Sequence, residues 1–285
     1  MTRVTWKLCG NKCRLSLRES TFFRGAKSDN LVSCFRAAAW FAVYLAGFSQ
    51  ISADSTTAKV PQYTIQQTSA KIVIDGQLNE SDWKNARDVG KFQFPWWTVG
   101  KKEQTVAKML WDDRNLYVAY RCEDAHIWAE HTKRDSPVYR DDCVELFTAP
   151  NPDRPDDYFN IEMNVNRAFL DRHHPNGPGI KPKDNWNAKD VRIAVSVNGT
   201  KNDDSDVDRD WILEAAIPFA NFVKVAKNSP PKPGDVWHLN LNRLGGKTNP
   251  QYSQWSPSKT ERPSFHVPKD FGRVVFSHQK VSSRD

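Results

Sequence analysis

The chain has 285 residues, enough for one large domain or two small ones, and a formal net charge of +7. The excess is confined to one end: residues 1–53 hold eight Lys/Arg and two acidic residues, which leaves 33 basic and 32 acidic residues for 54–285. A near-neutral body excludes a general basic footprint for nucleic acid, and it carries no phosphate loop, HExxH or serine-nucleophile motif.

In chain order, the first feature is Arg36 followed by "AAAWFAVYLAGFSQISAD". The apolar core, residues 37–48, is too short for a bilayer, which takes about 20 residues. It fits a secretory signal with a small-residue exit near Ala53. Residues 1–53 are therefore read as a signal-peptide region with a long basic n-region, and 54–60 as a linker. Removal of the signal leaves Cys122 and Cys143. An exported protein permits a disulfide between them; two buried free thiols are the other reading. Two cysteines without clustered histidines cannot build a structural zinc site.

Strand-like runs then recur between turn signals. "KIVIDG" ends on an Asp-Gly turn, and "TVAKMLWDDRNLYVAYRC" reads as two strands around residues 112–115. "CVELFTAP" stops at a proline-rich loop, "YFNIEMNV" alternates cleanly, and "VRIAVSVNGT" ends on an Asn-Gly hairpin cue. "DWILEAAIPF", "DVWHLNLNRL" and "GRVVFS" follow. "NESDWKNA" is a candidate short helix capped near Asn79 or Ser81. The expectation is an all-β fold: an antiparallel, jelly-roll-like β-sandwich over 61–278 with few short helices, and a polar tail over 279–285.

Alternation puts successive side chains on opposite faces of a strand. Phe159, Ile161, Met163 and Val165 face one way, and Asn160, Glu162, Asn164 and Asn166 the other. Val144 and Leu146 oppose Cys143, Glu145 and Phe147; Leu239 and Leu241 oppose His238, Asn240 and Asn242. Asn and Glu are poor strand formers, so their rows suit hydrogen bonding to a hydroxyl-rich ligand. An ordinary solvated face is the competing reading. Nine tryptophans in the body, with Trp96 and Trp97 adjacent between strands, add apolar ring faces that can lie against a sugar.

"IDGQLNESDWKNA", "KMLWDDRNLYVAYRCED", "RDDCVELFTAP", "YFNIEMNVN", "VNGTKNDDSDVDRDWILEAAIPF", "GDVWHLNLNRL", "QWSPS" and "PKDFGRVVFS" occur in this order. Together they resemble the family 9 carbohydrate-binding modules, and more closely the family 9-like domains of bacterial exported proteins. The resemblance implies a β-sandwich that clamps a sugar ring between two aromatic side chains, with structural calcium. It implies an exported bacterial module, secreted, periplasmic or on the cell surface. Such a module binds oligo- or polysaccharide such as xylan or cellulose, often beside a glycoside hydrolase, in carbohydrate catabolism.

By the same resemblance Tyr139 and Phe265 stand where the clamp lies, and Glu145 matches a hydroxyl acceptor. Asn164 matches an amide ligand, and Glu162 falls where sugar-binding members have Arg. "NDDSDVDRDW" offers Asp204, Asp206 and Asp208 as calcium ligands. It fails the EF-hand template, with Arg209 and Ala215 at the Gly and Glu positions counted from Asp204, so a solvated turn competes. The expected function is non-catalytic carbohydrate binding. Two alternatives stay open: an O-glycosyl hydrolase using Glu145 and Glu162, and a surface-interaction protein that has lost sugar binding. Neither nucleic-acid binding nor stable membrane insertion after signal cleavage is expected.

Overall fold

The computed structural model describes residues 59–179 and 186–282. The expected signal region, and all but two residues of the linker, lie outside the described residues. Eleven strands carry the fold: β1 Gln62–Gln67, β2 Thr105–Trp111, β3 Asn115–Glu123, β4 Cys143–Ala149, β5 Tyr158–Asn164 and β6 Phe169–His174. β7 Arg192–Asn198, β8 Asp210–Pro218, β9 Val236–Leu244, β10 Tyr252–Gln254 and β11 Gly272–Lys280 complete them. The described α-helix is one short turn-and-a-half, α1 Ser81–Asn85. None of the described helices is long and apolar enough to cross a membrane.

The strands form one sheet in the order β6-β5-β4-β9-β11-β1-β2-β3-β8-β7, with β10 added on β9. β1 runs parallel to both neighbours, β11 and β2; the other pairings are antiparallel. The expected sandwich is therefore a single sheet that curls over at β1. One apolar cluster is shared by both halves: Val144, Leu146, Ile161, Met163, Leu239 and Leu241 from one, Met109, Val118, Tyr120, Leu213 and Ala215 from the other. The Tyr120 hydroxyl crosses that core to donate to the Glu145 carbonyl at 2.9 Å.

Alternation explains which residues enter this core. It also explains why a second cluster exists. Both faces of β4 and β5 are buried along their whole length. Cys143, Phe147 and Tyr158 point away from the shared core into an outer cluster with Val138, Leu244, Phe265 and Phe271. The polar row of this half is therefore covered, not solvated. Asn160, Asn164, Asn240 and Asn242 are all buried. Residues after β9 supply the cover: Asn240 Nδ2 donates to the Ser256 carbonyl at 2.8 Å, and its Oδ1 accepts from Ser256 N at 2.9 Å.

Two thiols settle differently from a disulfide. Cys122 and Cys143 are both free and buried, and they lie in the two different clusters. Burial pushes the Cys122 thiol up to about 12 and the Cys143 thiol well up.

"KIVIDG" is not a strand. Its Asp75 and Gly76 amides each donate to Glu214 Oε2 at 3.1 Å instead of to a neighbouring strand. Ile72 and Trp83 pack with Leu110, Tyr117 and Ala216 on the outside of the β2-β3-β8 half. Gly76, at φ +81, is required there, because a Cβ would meet the Val195 carbonyl carbon at 2.9 Å. β11 runs past residue 278 to Lys280, and Val281 is buried, so part of the expected tail belongs to the sheet.

One buried ion cluster ties the halves together. Arg243 on β9 faces inward and is fully buried. Its Nη2 donates to Asp124 Oδ2 at 3.0 Å and lies 3.6 Å from Glu103 Oε2. Its Nη1 donates to the Glu123 carbonyl at 2.6 Å.

Candidate functional site

β4, β5 and β9 lie side by side, and their registers fix the floor of a cleft. Glu145 sits opposite Glu162 on β5 and opposite Asn242 on β9. Directly opposed residues of an antiparallel pair hold their Cβ atoms about 4.5–5.5 Å apart. The two carboxylates are thus near neighbours pointing the same way. Glu145 is 3% exposed and Glu162 6%. Both line an open cleft of about 640 Å³ with Tyr139, Phe147, Tyr252, Phe265 and His266.

The walls come from loops. A 3₁₀ turn, Val138–Arg140, buries Val138 and leaves Tyr139 43% exposed at the cleft. Its placement follows from the two aspartates that come next. Asp141 accepts from Glu130 N and His131 N, both at 3.1 Å, and from Asn164 Nδ2 at 2.7 Å. Asp142 accepts from Trp128 N and from Gly246 N, both at 2.6 Å. These carboxylates fix the start of β4 against two loops. Burial, then the charge of Asp124, holds the Asp142 carboxyl above the usual range.

The opposite wall is aromatic. Phe265 packs on Trp96 with ring centroids 5.8 Å apart, and on Tyr252 at 6.1 Å. Trp96 donates through Nε1 to the Thr260 carbonyl at 2.8 Å, so it backs the wall and does not line the cleft. Tyr252 is 39% exposed. Trp97, next to Trp96 in the chain, is exposed and lies under Lys102 Nζ, 4.5 Å from the ring centroid.

The floor is acidic and short of donors. Glu145 Oε2 accepts from Asn242 Nδ2 at 3.3 Å, and Glu162 Oε1 from Asn160 Nδ2 at 2.8 Å. Glu162 Oε2 is buried without a hydrogen-bond partner. Burial, and then the charge of Glu162, raises the Glu145 carboxyl well above its usual range. Burial pushes Glu162 up to about 7, against the charge of Arg172 and the bond from Asn160. Two like charges this close in a poorly hydrated site disfavour joint ionisation, so the pair retains a proton.

Of the expected ligand residues, Tyr139, Glu145, Glu162 and Phe265 are brought together around one cleft. Asn164 is not. It shares their face, but its Nδ2 donates to the His131 carbonyl at 2.8 Å and to Asp141, and its Oδ1 accepts from Ala168 N at 2.9 Å. Its amide is consumed in fixing the Tyr139 loop, and its ligand role is corrected to a structural one.

Asp204, Asp206 and Asp208 do not fit a calcium site. Asp208 spends Oδ2 on Ile127 N at 2.7 Å and Oδ1 on Thr200 N at 2.6 Å, while Asp204 and Asp206 stand exposed. Among the described residues no three His, Cys, Asp or Glu side chains converge on one point.

Sequence reasoning missed Tyr252, Arg140 and His266 in the lining. Tyr252 lies on a three-residue strand, too short to show alternation. Arg140 ends the short 3₁₀ turn and His266 sits in irregular backbone, and neither gives a periodic signal.

The family model for carbohydrate-binding family 9 matches residues 92–276. The chain belongs to that family. The match spans β2 through most of β11 and includes every residue named in the cleft. A provisionally assigned carbohydrate-binding protein from Bacteroides uniformis ATCC 8492 has the same fold, with a TM-score of 0.63 at 21% identity over 77% of this chain and 100% of that one. A family 9 module from Caldicellulosiruptor kristjanssonii, solved in complex with cellotriose, gives a TM-score of 0.51 at 16% identity over 78% of this chain and 100% of that one. No curated protein matches this family 9 chain.

Proposed function

We propose that this cleft binds a sugar ring of an oligo- or polysaccharide non-covalently. One observation carries the reading: two exposed tyrosines and Phe265 flank a floor of buried hydrogen-bonding carboxylates. A pyranose has apolar C–H faces and a polar rim, and aromatic walls with a polar floor match both. Each hydroxyl donating to Glu145 or Glu162 contributes about 0.5–1.5 kcal/mol net. The basic and apolar leader supports export. The module then serves extracellular or periplasmic polysaccharide breakdown, with a glycoside hydrolase as its natural companion.

Hydrolysis by the chain itself fits the geometry less well. A glycosidase places its two carboxyl groups on either side of the scissile bond. Glu145 and Glu162 project from adjacent strands of one floor and meet a ligand from the same side.

Calorimetry of the full chain against cellotriose, xylan oligomers and a wider glycan panel tests the reading. Saturable binding that weakens about threefold to tenfold in Glu145→Gln is expected, the loss of one hydrogen bond to a sugar hydroxyl. Absence of binding to every glycan would sink it and favour a surface-interaction role. Turnover of chromogenic glycosides, lost in the same variant, would favour the hydrolase.

A further inference from the structure

The Glu145–Glu162 pair lacks a cation, which two other groups of buried carboxylates have. Glu103 and Asp124 have Arg243, and Asp171 has Arg134 at 2.8 Å. Among the described residues, no basic side chain forms an ion pair with Glu145 or Glu162. Arg172 on β6 lies close enough to favour the Glu162 charge, yet its guanidinium bonds the Asp171 carbonyl and faces Asp135. Arg140, at the mouth, is exposed, so water screens it. His266 on the far wall is kept neutral by burial, and Cys143 beside Glu145 is held as a thiol.

The floor is thus rich in acceptors. Glu162 lines the cleft, and its Oε2 is buried without a partner. On the other side of Glu145, Asn242 Oδ1 is also buried without a partner. An unpaired buried acceptor costs about 1–3 kcal/mol, more for a charged group. A ligand that relieves this must bring several donors to one point, and positive charge as well.

We propose that the cleft selects sugars carrying a protonated amine, whose ammonium group sits between the Glu145 and Glu162 carboxylates. This rests on the carbohydrate-binding reading above and names its ligand class. An ammonium offers three N–H donors from one atom, where a hydroxyl offers one. It also supplies the counter-charge that lets both carboxylates ionise. The ring's apolar face remains free to lie against Tyr139 or Phe265. Protons balance simply: the one the pair retains leaves to solvent as the ammonium takes its place.

The test compares three trimers on the full chain at about pH 6, where the amines already carry their protons: fully deacetylated glucosamine trimer, N-acetylglucosamine trimer and cellotriose. The glucosamine trimer should bind at least about tenfold more tightly than the others, the order expected of a desolvated charge-assisted contact. Calorimetry in two buffers of different ionisation heat should show net proton release for it alone. Glu162→Gln should bring the three affinities within about threefold of one another, since it removes that contact. Equal or weaker binding of the amino trimer to the wild type overturns the inference, even while cellotriose binding upholds the site. Binding of none of the trimers overturns this inference, and the carbohydrate reading falls with it only if the wider glycan panel is silent too. An unchanged preference in Glu162→Gln, with the melting curve showing a folded variant, places the ammonium elsewhere and also overturns it.

Discussion

Two groups of buried carboxylates lie on opposite faces of the same β9 neighbourhood, and they are treated in opposite ways. Glu103 and Asp124 meet Arg243 in the shared core, and their remaining oxygens are occupied. Glu103 accepts from Ala125 N and Gln251 Nε2, both at 3.0 Å, and Asp124 from Trp211 Nε1 at 3.0 Å. Glu145 and Glu162, on the outward face, have each other, two amides and an open cleft. A buried charge costs several kcal/mol unless it is paired. Pairing closes the first group into a structural tie. The second retains its cost, relieved only by protonation or by a ligand.

The largest effect should come from breaking the closed group. Arg243→Met leaves Glu103 and Asp124 buried without a counter-charge and should destabilise the fold by about 3–5 kcal/mol in urea unfolding. A loss below about 1 kcal/mol would erase the contrast.

The open group should show itself in pH dependence. Burial pushes the Glu162 carboxyl up from its ordinary 4.5 to about 7 in the folded protein. Its folded form holds a proton that the unfolded chain has lost, so stability from this group is complete below about 4.5 and disappears as pH rises through about 7. Thermal melts of wild type should therefore fall between about pH 5 and 8. Glu162→Gln should flatten that fall by on the order of 2 kcal/mol. Parallel curves for the two proteins would show that the carboxylate is not strained by its site.

Tyr139→Ala tests the walls. The ring is 43% exposed, so the melting temperature should hold while sugar affinity drops by about 1 kcal/mol, roughly fivefold. A melting shift instead would make Tyr139 a packing residue. The smallest effect is expected from reductant: with both thiols free and buried, melting with and without dithiothreitol should coincide.

Much of this was legible in the chain before folding. Period-two alternation in "YFNIEMNV" and "CVELF" separated core rows from polar rows, because strand geometry alone sends neighbours to opposite faces. It also put Glu145 and Glu162 on polar rows. Alternation did not reveal that both faces would be buried. That depends on residues some hundred positions later, such as Ser256 and Phe265, folding back over the face. Asn164 shows the consequence. Its row was right, but two of its partners, the His131 carbonyl and Asp141, lie 33 and 23 positions away and meet it only in three dimensions. Asp208 looked like a metal ligand for the same reason: composition cannot distinguish a carboxylate awaiting a cation from one already holding backbone amides.

The sequence by itself thus determined the strand class, the core rows and the residue types at the cleft floor. These follow from local stereochemistry and side-chain polarity. Only the tertiary structure decided that β1 joins the two halves in parallel, that Glu145 and Glu162 stand opposite each other without a cation, and that Tyr252 joins Phe265 in one wall. Register, cover and counter-charge are set by contacts between distant segments, and no short window of sequence contains them.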